Sequence, residues 1–223
     1  MDLIKRELAN RLISPETRKD EMTKAQKALY DPQNLDSRQL VENWVILGEG
    51  YKWEKRPSLA EESYLHAIEL IQTIRDEIML AEAYKALGDV WYFSGNYERC
   101  ISHYDRAAKI YEQHSDVNWV NTISQIAYAY AQMGRRKEEQ RILKIVISRL
   151  NISPIIRATF LERMAMSLST SNAKEAITYY EEALKNFDSA NFKRDWEKRV
   201  KCLSQLYESI GDKDNAQRTL KRL

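Results

Sequence analysis

Three histidines, His66, His103 and His114, and two cysteines, Cys100 and Cys202, are the side chains of this 223-residue chain best suited to metal or nucleophilic chemistry. A zinc site needs ligands at short spacings such as H-x3-H, H-E-x2-H or C-x2-C. None of the five falls in one of these three spacings. Two thiols in a chain this long cannot build a disulfide framework, so both are expected to be buried and reduced. The sequence contains no G-x4-G-K-[ST] phosphate loop, no G-x-G-x2-G and no G-x-S-x-G. Paired carboxylates, a residue type suited to acid–base work, occur at Glu61-Glu62, Glu138-Glu139 and Glu181-Glu182. Each pair falls near the start of an expected second helix, where the positive end of the helix dipole is reason enough for it. The chain reads as a non-enzyme with no metal and no cofactor.

The elements that position these side chains emerge from a repeated apolar spacing. Trp44-x2-Leu47-Gly48-x2-Tyr51 is followed by Ala60-x3-Tyr64-x2-Ala67, and Tyr84-x2-Leu87-Gly88-x2-Trp91 by Cys100-x3-Tyr104-x2-Ala107. Ile123-x2-Ile126-Ala127-x2-Tyr130 leads to Glu139-x3-Leu143-x2-Val146, and Leu161-x2-Met164-Ala165-x2-Leu168 to Ala176-x3-Tyr180-x2-Ala183. Val200-x2-Leu203-Ser204-x2-Tyr207 with Ala216-x3-Leu220-x2-Leu223 completes the set. Spacings of three, four and seven are helical, so each segment is expected to be two amphipathic helices joined by a short turn. Gly95, Gly134 and Gly211 stand where first helices should stop. Gly48 and Gly88 lie inside helices, at a cost of about 1 kcal/mol against Ala, which makes sense if a second helix crosses closely there.

The W-x2-L-G-x2-Y…A-x3-F…A pattern resembles the tetratricopeptide repeat (TPR) over about residues 37–223. The resemblance implies an all-α fold: a right-handed superhelical TPR-type α-solenoid of about five hairpins, at about 37–76, 77–116, 117–154, 155–192 and 193–223. The third repeat departs at Glu139, where a small residue is usual, and the fourth lacks a turn glycine and is a residue shorter there. First-helix positions recur every 38 to 40 residues, against the usual 34. Segments such as 67–83 have no Gly or Pro, so the extra length is expected in helices. Long-helix repeats of this kind look like the peptide-binding halves of bacterial peptide-pheromone receptors and like some eukaryotic polarity adaptors.

Residues 1–36 fall outside the repeat. Ile4, Leu8 and Leu12 share one helical face, and Ser14-Pro15-Glu16 reads as the N-cap and first turn of a helix running to about Tyr30. A hairpin capping the solenoid is expected, with a separate effector arm as the other reading. The N-terminus is charged from Asp2 and shows no secretory signal, and no stretch approaches a membrane span. A cytoplasmic protein without membrane contact is expected.

Trp44, Tyr51, Tyr64, Tyr84, Trp91, Tyr104, Tyr130, Tyr180 and Tyr207 occupy packing positions and are expected in the core. The TPR resemblance implies that first helices line a concave groove. By helical spacing its residues are Glu42, Val45, Ile46, Glu49 and Trp53, then Glu82, Lys85, Asp89, Tyr92 and Phe93. The third repeat adds Asn121, Ser124, Gln125, Tyr128 and Gln132, and the fifth Lys198, Lys201, Cys202 and Gln205. Residues 37–119 carry 14 acidic and 9 basic side chains, whereas 193–223 carry 5 and 9. Such a groove would orient a peptide or protein segment with its basic part toward the N-terminal half. Asn121 and Gln125 would bond its backbone. TPRs that grip acidic chaperone tails use a Lys/Asn/Lys/Arg clamp. The corresponding residues here are Val45, Glu49, Ala86, Asn121 and Gln125, so chaperone C-terminal tails are not expected.

The leading expectation is thus an adaptor or scaffold. One alternative is a bacterial peptide-sensing regulator whose solenoid changes shape on binding. A lesser one is a nucleic-acid accessory protein using Lys193-Arg194, Lys198-Arg199, Lys201, Arg218 and Lys221-Arg222, with Arg135-Arg136-Lys137 nearby. Leu220 and Leu223 lack a covering helix in the sequence, which suggests homodimerisation through that end.

Overall fold

The computed structural model describes residues 14–149, 152–190, 192 and 194–223. The expected helical face at Ile4, Leu8 and Leu12 lies outside them. The described residues form eleven α-helices: α1 (Pro15–Tyr30), α2 (Ser37–Trp53), α3 (Pro57–Ile74), α4 (Glu77–Phe93), α5 (Tyr97–His114), α6 (Asp116–Gln132), α7 (Arg136–Ile147), α8 (Pro154–Leu168), α9 (Ala173–Ser189), α10 (Trp196–Ser209) and α11 (Lys213–Leu220). One 3-10 turn, Pro32–Asn34, separates α1 from α2. The chain divides into two compact units, one ending at Met133 and the other beginning at Gly134. That division falls inside the expected third repeat.

Local chemistry starts and stops the helices. Ser14 accepts a hydrogen bond from the Thr17 amide to open α1. Asp36 and Gln39 form a reciprocal capping box on α2. Asp76, Asn96 and Ser115 cap α4, α5 and α6 in the same sense. Gly95 takes φ of 80° to end α4, a left-handed conformation that Lys55, at φ 58°, adopts at the matching turn after α2. The fourth turn, 169–172, has no such residue and uses Asn172 as the cap of α9.

In the first unit α2–α3 and α4–α5 are antiparallel hairpins, α6 packs on α5, and α1 packs on α2. From α2 to α6 the helices are 17 or 18 residues long, joined by one to three residues, so the long period is taken up by helix. Close crossing explains the internal glycines. A Cβ on Gly48 would sit 2.8 Å from the Tyr64 ring, and one on Gly88 2.3 Å from the Tyr104 ring. Val41, Val45, Ala60, Tyr64, Ile68, Leu87 and Val90 form the core around the first crossing. The sixth glycine, Gly50, had no place in the repeat pattern. Its Cβ would fall 2.2 Å from the Met22 sulfur, so it is the point where α1 docks, beside Ala25 and Leu47.

In the second unit α7 packs on α8, and α8–α9 and α10–α11 are hairpins. Ala158, Leu161, Ala183 and Phe187 form a core cluster flanked by Phe192 and Trp196. Of the aromatic residues expected in the core, Tyr64, Trp91, Tyr104, Tyr180 and Tyr207 are buried; Trp44, Tyr51, Tyr84 and Tyr130 are half-buried. Tyr111 and Trp119, outside the repeat pattern, are buried as well. Cys100 is buried, but Cys202 is only half-buried, because its first-helix position sits beside the packing stripe rather than within it.

Candidate ligand-binding face

The residues projected onto a groove separate into three sets. Val45 is a correction: it is 3% exposed and belongs to the core between α2 and α3, one turn from Val41. A ligand cannot reach it. Ile46 packs toward α1 with Trp44 and Tyr51.

A second set is half-buried and already engaged. The Tyr64 hydroxyl donates to the Glu49 carboxylate, which also holds the Lys52 ammonium at 2.7 Å. Forty residues later the Tyr104 hydroxyl donates to Asp89, with Lys85 3.5 Å from the same carboxylate. Both carboxylates are thus neutralised in place by a lysine on their own helix. Burial and the adjacent Asp89 charge raise the Tyr104 phenol far above its usual range, so it remains a donor. Burial, then the same charge, pushes the Cys100 thiol up to about 12. That value makes Cys100 an inert packing group. Lys52 was not anticipated as part of this face.

The third set keeps its side chains at least partly exposed. Trp53 and Phe93 occupy the same repeat position and are 46% and 72% exposed. The Arg18 guanidinium of α1 lies 4.5 Å from the Trp53 ring centroid. Tyr92 meets Phe93 and Tyr97 edge-on. On α6, Tyr128 is 47% exposed at the position of Glu49 and Asp89. At the repeat position of Tyr64 and Tyr104 the third repeat carries Leu143 rather than tyrosine. Asn121 and Gln132 are exposed, Ser124 and Gln125 half-buried, and the Ser124 hydroxyl donates to the Val120 carbonyl. Glu42 is exposed and Glu82 half-buried.

In the second unit Lys198 and Gln205 are exposed on α10, and Lys201 is bound to Glu197. Leu220 and Leu223 are exposed.

The acidic pairs do more than serve the helix dipole. Glu61 accepts from Trp91 Nε1 at 3.1 Å and from Arg99 at 2.6 and 2.8 Å, joining α3, α4 and α5. Arg99 also stacks 3.8 Å over the Trp91 ring. His103 Nε2 lies 3.7 Å from Glu61, and burial lowers its pKa despite that carboxylate. Glu139 is buried, holding Arg136 at 2.8 Å, Arg163 at 3.1 Å and the Ser167 hydroxyl at 3.0 Å. Its departure from the repeat pattern is therefore an α7–α8 ion pair. Glu181 accepts from the Tyr207 hydroxyl. Reciprocal arginines at distances of 24 and 38 residues carry no local spacing signal. Among the described residues no group of three or more His, Cys, Asp or Glu is arranged to hold a metal ion. None of their helices is long and apolar enough to cross a membrane.

Helical hairpins crossing at a small residue, with aromatic second-helix partners, define an all-α fold of TPR type. Residues 81–114 match the tetratricopeptide repeat family model. No curated protein sequence matches the chain. Among solved structures, BtubC (BKLC) from P. vanneervenii is similar with a TM-score of 0.65 and 19% identity, covering 93% of this chain and 87% of that one. Aspartyl phosphate phosphatase F from Bacillus subtilis has a TM-score of 0.63 at 15% identity, covering 82% and 49%. A Rap protein complexed with Competence and Sporulation Factor has a TM-score of 0.53 at 21% identity, covering 86% and 55%. The chain thus spans about half the length of the latter two.

Proposed function

We propose that the chain is a non-enzymatic interaction module that binds a peptide or protein segment along the first-helix face of α2, α4 and α6. The observation that carries this reading is the pair Trp53 and Phe93. Each is a large apolar side chain left substantially exposed at the same position of successive hairpins. Exposed apolar groups repeated along one face are what a ligand-binding surface requires and a solvated face does not. Asn121 and Gln125 add amides able to donate to and accept from an extended backbone. With Glu49 and Asp89 engaged inside their hairpins, any preference for a basic segment rests on Glu42.

The test is capture of partners from native lysate by wild type and by Trp53→Ala/Phe93→Ala, with calorimetry on the segment recovered. A loss of affinity of about tenfold or more is expected, the size of a lost aromatic anchor. Unchanged capture would place binding elsewhere. Release of phosphate from an aspartyl-phosphorylated protein by the purified chain would overturn the non-enzymatic part.

A second reading, a peptide-sensing regulator, is favoured by the likeness to the Rap protein complexed with Competence and Sporulation Factor. It requires the scattering radius to change when a peptide binds. An unchanged radius leaves the passive adaptor.

A further inference from the structure

We infer that α7 carries a second docking surface, for an acidic polypeptide segment with an apolar side chain, separate from the first-helix face. Glu139, Leu143 and Val146 form the buried stripe of α7. Lys137, Arg141, Lys144 and Ser148 follow at helical spacing on the opposite side. With Gln140 and Ile145 they line an open concavity of about 540 Å³.

Three features distinguish this stripe from an ordinary solvated charge run. First, the acidic residues of α7 are already taken: Glu138 holds Arg135, and Glu139 holds Arg136 and Arg163. Second, among the described residues Lys137, Arg141 and Lys144 form no ion pair or hydrogen bond through their side chains. By contrast, exposed lysines on other helices pair with a carboxylate four residues away, as in Lys24–Asp20, Lys109–Asp105 and Lys201–Glu197. Third, Ile145 is 43% exposed within the concavity.

Three unpaired cations spread over two helical turns attract a run of carboxylates. The isoleucine among them selects the class. An acidic peptide bearing a leucine or phenylalanine satisfies both the charges and Ile145, whereas a phosphate backbone offers nothing apolar at that point.

The experiment uses fluorescence anisotropy of a labelled peptide of about twelve residues, alternating glutamate pairs with leucine, against the full chain. Wild type is expected to bind it. Lys137→Glu/Arg141→Glu/Lys144→Glu should weaken binding by at least about tenfold and Ile145→Ser by about threefold. Lys174→Glu/Lys185→Glu, a charge reversal on α9, should leave it unchanged. Circular dichroism checks each fold, and Arg141→Gln replaces the triple variant if that fails to fold. No binding by wild type, or equal loss in the α9 variant, overturns the proposal. So does tighter binding of a thymidine oligonucleotide with no effect of Ile145→Ser, which would indicate a nucleic-acid surface. Loss on Trp53→Ala/Phe93→Ala would instead place the peptide on the first-helix face.

Discussion

The Tyr104 hydroxyl donates a hydrogen bond to the Asp89 carboxylate, tying the two helices of a hairpin together one residue beyond the glycine where they touch. Tyr64 and Glu49 repeat the arrangement one hairpin earlier. Small residue, carboxylate and tyrosine act as one unit: the glycine admits the ring, and the carboxylate receives its hydroxyl. Carboxylates that look like ligand contacts are therefore part of the scaffold.

Tyr104→Phe should lower the unfolding free energy by about 1.5 kcal/mol, the low end for a hydrogen bond to a charged group, since Lys85 still faces Asp89. Urea denaturation measures it. A change within error would mean that the bond adds nothing over solvation of the carboxylate.

Gly88→Ala should destabilise the chain even though alanine is the better helix former by about 1 kcal/mol. The new Cβ would meet the Tyr104 ring at 2.3 Å, and forced overpacking typically costs about 1–3 kcal/mol. In a Tyr104→Leu background the same substitution should become neutral or favourable. Thermal unfolding of the four variants completes the cycle.

Glu139→Ala should cost about 3 kcal/mol, because it removes the carboxylate that faces the Arg163 guanidinium in a largely buried site. Replacing both, as Glu139→Leu/Arg163→Met, should recover most of that loss. If the double variant is no more stable than the single, the cost lies in the Ser167 and Arg136 contacts instead.

His103 gives stability a pH dependence of definite sign. Burial lowers its pKa below the ordinary 6.5, with Arg106 and Arg99 acting in the same direction and Glu61 opposing. The unfolded chain then takes up the proton first, so stability falls as pH drops through about 6.5 toward the folded value. His103→Asn should flatten that part of the profile. Denaturation midpoints at pH 7.5 and 5.5 compare the two, and parallel profiles would count against a buried, neutral imidazole.

Much of the architecture was legible in the sequence because helix pairing is written at short range. Spacings of three, four and seven, glycine at Gly48 and Gly88, and turn glycines such as Gly95 specify hairpins without reference to distant residues. The candidate face was legible only in part. Trp53, Phe93 and Tyr128 could be projected as exposed, but Val45 could not be separated from its exposed neighbours. Its burial depends on how far α2 rotates against α3, a quantity that a repeat pattern leaves free by a residue.

The sequence by itself determined the period, the helical hairpins and the small residues at their crossings, since each follows from local backbone preference and the apolar stripe. Tertiary structure alone decided which charges are spent. Glu61 meets Arg99, Glu139 meets Arg163 and Glu49 meets Tyr64, and packing brings each pair together across 38, 24 or 15 residues. An ion pair or buried hydrogen bond depends on distance in space, and helix composition does not encode that distance. Among the described residues, the same physics leaves Lys137, Arg141 and Lys144 unpaired on α7.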